Sequence, residues 1–239
     1  MNDFKNYTLK HKNISSSKLD SYEKIMNITP VILEETQLNG TLISVFDRLM
    51  KDRMIFINDV VDTDMAEIIK AQIMYLDSIS DEPIRIYINT PGGSVSEGLV
   101  IYDSYCLAKC KIHTICHGMA ASMGSILLGA GENSNRFITK YSRVMLHQVS
   151  NGVSGNIQDI TIAMNETVKY NNILFELLGD FCNKPSEQVK KDADRDKWLN
   201  SVESLQYGIV DKILWNKDTI ITLDNLDTIK DSILYNKCI

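Results

Sequence analysis

The chain has 239 residues, 44% of them hydrophobic and 23% charged, with a formal net charge of −6; this is enough apolar material for one sizeable core or two small ones and is not the composition of a disordered chain. An acidic balance with no basic block argues against a nucleic-acid partner. No apolar run approaches the roughly 20 residues that span a bilayer and residues 1–17 lack a signal-peptide centre, so a cytoplasmic protein off the membrane is expected.

Residues 1–27 are polar, rich in Lys, Asn and Ser, and read as an N-terminal extension or propeptide; 28–216 carry the periodic pattern of a domain, and 217–239 form a polar tail. From Ile28 apolar and acidic residues alternate loosely up to an Asn39-Gly40 turn signal. A short helix is expected over Val45 to Met50 and a strand over Arg53 to Asn58. Asp62 is placed to cap a helix with Met65, Ile69, Ile73 and Leu76 on one face. Arg85 to Asn89 is a strand closed by Thr90-Pro-Gly-Gly-Ser94, Val95 begins a helix with Leu99, Tyr102 and Cys106 on one stripe, and Ile112 to Cys116 returns to strand. Strand and helix alternate, which predicts an α/β fold with parallel strands and a site at their carboxyl ends.

Beyond Ser122 a helix runs to about Ala130, followed by short strands at Arg136 to Thr139 and Arg143 to His147. The longest periodic segment is Asn156 to Phe181. A helix of about 25 residues at 1.5 Å each is nearly 40 Å long, too long for this domain to cover, so part of it should project and pack on another subunit. Pro185 opens a short helix, Asn200 with Glu203 makes a capping box for a helix ending at Gly208, and Ile209 to Leu214 closes as a strand. The five cysteines (106, 110, 116, 182, 238) contain no Cys-x-x-Cys pair, leaving disulfide and zinc readings weak.

One serine, Ser122, sits among small residues in Cys116-His-Gly-Met-Ala-Ala-Ser-Met-Gly124, where an apolar strand turns into an apolar helix. A serine hydroxyl becomes a useful nucleophile only with a base and an oxyanion site. Of the four histidines, His147 is the best placed base because it ends a strand of an α/β fold. Asp192, Asp194 and Asp196 are each candidates for the carboxylate that orients it. Gly92-Gly93 after a strand offers unobstructed backbone N–H groups. Each signal has a plain structural alternative: close packing, a backbone-bonded histidine, a solvated acidic loop and a tight turn.

Taken together and in this order, the motifs resemble the Clp protease proteolytic subunit (ClpP) family. Ser122 lies in Gly-Met-Ala-Ala-Ser-Met-Gly, His147 in Ser-Arg-Val-Met-Leu-His-Gln, and Asp196 in Asp-Arg-Asp-Lys-Trp-Leu ahead of Gly208-Ile-Val-Asp211. The likeness runs from about Ile28 to Asn216. It implies a crotonase-like α/β spiral and a serine-type endopeptidase with Ser122 as nucleophile, His147 as base, Asp196 as orienting carboxylate, and the N–H groups of Gly93 and Met123 as oxyanion hole. It further implies two stacked heptameric rings joined by the long helix, with Asp194 and Arg195 pairing across the ring interface. Unfolded protein would be fed in by a partner AAA+ ATPase of the Clp type, which uses the ATP. No cofactor or metal is implied for this chain, and it has no Gly-x-x-x-x-Gly-Lys motif.

Two departures stand out. After His147-Gln148 the family's proline and glycine-rich turn is replaced by Val149-Ser-Asn-Gly-Val-Ser-Gly155, so the substrate-facing segment is expected to sit differently. In the implied ATPase docking cleft Tyr87, Leu107 and Leu214 match, but Arg85 stands where an aromatic is usual, which weakens an apolar contact unless the partner compensates. The competing readings are a crotonase-fold acyl-CoA enzyme and a latent or structural ring subunit active only in a mixed assembly.

Overall fold

The computed structural model describes residues 31–35 and 40–227, and the chain divides into two compact units, Met1–Asp52 and Arg53–Ile239. In the first, β1 (Val31–Glu35) pairs antiparallel with β2 (Gly40–Ser44), Val31 opposite Ser44 and Glu35 opposite Gly40. Ser44 then starts α1 (Val45–Lys51): its hydroxyl accepts from the Asp47 N–H at 3.0 Å, while its own N–H donates to the Asp47 carboxylate at 3.3 Å. The extension 1–27 and the expected turn residue Asn39 lie outside the described residues.

The second unit alternates strand and helix as expected. Its elements are β3 (Met54–Ile57), α2 (Thr63–Ile79), β4 (Ile84–Thr90), α3 (Val95–Leu107), β5 (Ile112–Ala121), α4 (Met123–Gly129), β6 (Arg136–Thr139) and β7 (Arg143–Leu146), then α5 (Ile157–Cys182), α6 (Ser186–Asp192), β8 (Lys197–Leu199), α7 (Ser201–Tyr207), β9 (Lys212–Asn216) and β10 (Thr219–Ile221). The sheet runs β10-β9-β6-β5-β4-β3, with β7 on β5 and β8 on β7. The pairs from β3 to β9 are parallel, as helical crossovers require. Ile55, Ile57, Ile86 and Ile88 alternate into the core together with Ala66, Ile69, Ile73 and Leu76 of α2, all at 1% exposure or less. Phe56 and Tyr87 point the other way and stack on each other, ring centroids 5.3 Å apart.

Local chemistry sets most helix starts. Asp62, Ser94, Asn156 and Asn200 each accept from the N–H three residues on. The buried faces agree less well. On α3 the expected stripe of Leu99, Tyr102 and Cys106 is rotated: Gly98, Ile101, Ser104 and Tyr105 are buried and Cys106 is exposed. The cause is Gly98, where a β-carbon would overlap the Met123 side chain, so α3 turns its glycine toward α4. On α2 Ala66, not Met65, takes the buried position.

The last long strand begins at Lys212 and not at Ile209. Ile209 and Val210 are buried in the turn before it, because Asp211 leaves the strand direction to receive Arg136. Its carboxylate accepts from Arg136 Nε at 2.9 Å, Nη2 at 2.6 Å and the Arg136 N–H at 3.0 Å, while Arg136 Nη1 donates to the Phe181 carbonyl at 2.7 Å. β6, the end of α5 and the approach to β9 are thereby tied at one point. Past Asn216 the chain adds β10, antiparallel to β9.

At 26 residues α5 is roughly 39 Å long. Its buried residues, Phe175, Leu178, Gly179 and Cys182, all lie in the last third. Ile157, Ile162, Met164 and Val168 are between 53% and 82% exposed. On the amino-terminal part Ile157, Met164 and Val168 therefore form an apolar stripe that no described residue covers, with Ile162 on the far side of the helix.

Candidate active site

β5 is the long strand of the sheet, and it forks. β4 follows one side of it; on the other, Thr114–Cys116 pair with β6 and Met119–Ala121 pair with β7. At the changeover the Gly118 N–H donates to the Ser142 hydroxyl at 2.8 Å and the Met119 N–H to Asn89 Oδ1 at 3.1 Å. The carboxyl end of β5 thus enters a branch of the sheet made by β7 and β8, with Ser122 as the next residue, at the strand ends where α/β folds build sites.

Ser122 has φ 56° and ψ −122°, a conformation a side chain rarely adopts and which costs about 1–3 kcal/mol. It is held there from both sides. Its N–H donates to the Met145 carbonyl at 2.9 Å, and its carbonyl accepts from the Ser125 N–H at 2.9 Å and the Ser125 hydroxyl at 2.7 Å. Ala121 and Met123 on either side are buried, while Ser122 is half-buried. The result is a sharp strand-to-helix turn that throws the hydroxyl out of the sheet.

His147 follows β7 directly. Its Nε2 lies 2.7 Å from Ser122 Oγ, and its Nδ1 lies 3.5 Å from Asp196 Oδ1. The antiparallel register of β7 on β8 pairs Leu146 with Lys197, so His147 and Asp196 are the next cross-strand neighbours. With a proton on Nδ1 facing the carboxylate, Nε2 is left to accept from the serine hydroxyl. The His147 side chain is 24% exposed and that of Asp196 63%.

The other two aspartates are elsewhere. Asp192 accepts from the Tyr207 hydroxyl at 3.0 Å and Gln188 Nε2 at 2.8 Å. Asp194 lies 3.9 Å from Arg195, with both side chains at least 75% exposed, and its carbonyl accepts from Gln148 Nε2 at 3.2 Å. The acidic run is thus one carboxylate in the site, one structural bond and one solvated pair.

Gly92 and Gly93 are held by an isolated parallel bridge to Val61, a residue that sequence inspection does not single out. Val61 donates its N–H to the Gly92 carbonyl at 2.9 Å and accepts from the Ser94 N–H at 2.8 Å. That bridge uses the groups flanking Gly93, so the Gly93 N–H has no protein acceptor among the described residues; the Met123 N–H, at the first turn of α4, has none either. Both glycines are required. A β-carbon on Gly93 would run into the Val61 backbone, and one on Gly92, at φ 95°, would lie 2.6 Å from Ser122 Cβ and 3.0 Å from the Met123 nitrogen. The Gly-Gly segment is in direct contact with the serine turn.

Residues 147–154, where the sequence departs, form no regular element. They lie along α5 instead: the Val149 N–H donates to Asn171 Oδ1 at 2.9 Å and Asn151 Nδ2 to Thr167 Oγ1 at 2.8 Å. Of the four expected docking residues, Arg85 and Tyr87 share the outer face of β4, Leu214 is half-buried on β9, and Leu107, 83% exposed, ends α3.

Among the described residues no group of three His, Cys, Asp or Glu side chains is placed to hold a metal ion, and no helix is long and apolar enough to cross a membrane. Residues 37–217 match the family model for Clp protease. Over 217 residues, 90% of this chain and 98% of the relative, the sequence is 45% identical to an ATP-dependent Clp protease proteolytic subunit of Porphyromonas gingivalis. It is 42% identical over 220 residues, 91% of this chain, to the full length of a subunit of the same description from Bacteroides fragilis. On this match the chain belongs to the Clp protease family, with its crotonase-like fold, and is a serine-type proteolytic subunit.

Proposed function

We propose that Ser122, His147 and Asp196 are the catalytic residues of peptide-bond hydrolysis through an acyl-enzyme. His147 takes the Ser122 proton as the hydroxyl attacks the scissile carbonyl. It then returns that proton to the leaving amine, and Asp196 holds the imidazole tautomer and steadies the imidazolium. The N–H groups of Gly93 and Met123 receive the oxyanion. After the first product leaves, water activated by His147 releases the acyl group. The observation that carries this reading is the 2.7 Å contact between Ser122 Oγ and His147 Nε2 with Asp196 behind it on Nδ1.

The subunit works within two stacked heptameric rings in the cytoplasm, 28–216 forming the peptidase domain and 1–27 an N-terminal extension or propeptide. The apolar stripe on the outer part of α5 supports ring-to-ring packing, and the exposed Asp194–Arg195 pair lies beside the triad where a second ring could engage it. Unfolded protein is supplied by an AAA+ ATPase of the Clp type that docks on the outer sheet face near Tyr87 and Leu214; this chain needs no cofactor. The test is hydrolysis of short fluorogenic peptides by the purified chain beside Ser122→Ala, with native mass spectrometry of the particle. Activity lost in the variant, from a particle of about fourteen chains, is expected. A second reading rests on the long His147–Asp196 contact and the exposure of Asp196: the triad closes only in a mixed ring. A wild type as silent as Ser122→Ala, but active with a second subunit added, would favour it.

A further inference from the structure

An open cavity of about 370 Å³ lies between the segment after α5, β8 and α7, and no triad residue lines it. That volume is within the range of small-molecule sites, about 300–1,000 Å³. The Tyr207 ring is fixed there by its hydroxyl, which donates to Asp192 at 3.0 Å. Two ammonium groups converge on the ring from two elements: Lys184 follows the left-handed cap Asn183 that ends α5, and Lys197 opens β8. Lys184 Nζ is 4.9 Å and Lys197 Nζ 5.5 Å from the ring centroid, so at most about 10 Å separates them.

These two charges are not paired within the chain. Neither lysine forms an ion pair among the described residues. Asp192 is occupied on both oxygens, by Tyr207 and by Gln188. Glu203, the one acid of the lining, caps α7: its Oε2 accepts the Asn200 N–H at 2.7 Å. Gln206 adds a side-chain amide that makes no hydrogen bond among the described residues, and Trp198, 43% exposed, adds a flat apolar face. Two like charges held over one ring repel each other, and their joint field draws an anion that carries charge at both ends.

We propose that this cavity binds a diphosphate group, free or carried by a nucleotide, with Lys184 on one phosphate and Lys197 on the other. Lysine serves phosphate as a point charge, at about 2.8 Å from nitrogen to oxygen. At the widest spacing of the two ammonium groups about 5 Å then remains between the oxygens they hold, which the two ends of a diphosphate span and a single carboxylate does not. The base of a nucleotide would lie against Trp198. Lys197 directly follows Asp196, so an occupant bears on the start of β8 beside the triad's carboxylate.

The experiment is isothermal titration of the full-length assembled particle with pyrophosphate, free of divalent metal and at matched ionic strength. Saturable binding is expected, weakened at least about tenfold in Lys184→Gln/Lys197→Gln and retained in Lys184→Arg/Lys197→Arg, which keeps both charges. The arginine pair separates loss of charge from loss of structure, and native mass spectra check that both variants assemble. Titration with ADP distinguishes the sources. Binding tighter than that of pyrophosphate, with the gain lost in Trp198→Leu, assigns a nucleotide, and equal binding assigns the diphosphate alone. No saturable binding of either ligand, binding that the glutamine pair leaves unchanged, or adenosine binding as tightly as ADP overturns the proposal and leaves the two lysines as a solvated cover of Tyr207.

Discussion

Gly92→Ala tests whether the Gly-Gly segment and the serine turn act as one unit. The added methyl would stand 2.6 Å from Ser122 Cβ, 2.7 Å from the Ala121 carbonyl oxygen and 3.0 Å from the Met123 nitrogen. Carbon atoms settle at about 3.5–4.0 Å, so the turn and the loop must part by about 1 Å. Two of the three contacts are backbone, leaving no flexible side-chain end to yield. The left-handed φ of 95° adds about 1–2 kcal/mol of conformational cost. A displacement of about 1 Å at a reacting group can cost about 10²-fold, or about 2.7 kcal/mol of barrier. Steady-state hydrolysis of a fluorogenic peptide should therefore show kcat reduced by about two orders of magnitude, and a fluorophosphonate should label Ser122 correspondingly slowly. Melting curves and native mass spectra separate this local effect from loss of the particle. A folded, assembled Gly92→Ala protein with wild-type kcat would refute the argument that this loop sets the serine geometry.

Asp196→Asn is expected to lower kcat on the order of 10⁴-fold with the fold intact, because the amide cannot hold the productive imidazole tautomer; peptide hydrolysis and thermal melting together check it. Asp211→Ala leaves the Arg136 guanidinium, 6% exposed, without its carboxylate and should destabilise the protein by about 3–5 kcal/mol in chemical denaturation, whereas replacing both partners by apolar residues of similar size should recover much of that loss. Val168→Asp puts a charge into the uncovered stripe of α5 and should shift native mass spectra toward single rings, with circular dichroism unchanged. Burial pushes the Cys116 and Cys182 thiols up to about 12, so at pH 8 both are protonated as well as covered; iodoacetamide followed by peptide mapping should alkylate the exposed Cys106 and leave those two unmodified.

What was legible in the sequence is what depends on neighbours within three or four residues. The caps Asp62 and Asn200, the helix starts at Val95 and after Asn156, and the serine turn after an apolar strand are of this kind, since a helix start needs only a side-chain oxygen near the third N–H. The parts that stayed hidden are set across the sheet. Val61 reaches Gly93 from the other end of a helix and a strand, so no local pattern marks it. The face of α3 is decided by Met123 filling the space over Gly98, which turns Cys106 outward against the helical period of its apolar neighbours.

The choice among Asp192, Asp194 and Asp196 shows the limit most clearly. Composition and spacing treat the three alike, and a family likeness is needed to prefer one. In space the choice is a matter of register: once Leu146 faces Lys197, the residue after the first and the residue before the second must face each other, and these are His147 and Asp196. A slip of β8 by one residue would turn the Leu199 side chain out of the core and carry Asp196 to the far side of the strand, so the apolar side chains that lock β8 also choose the carboxylate.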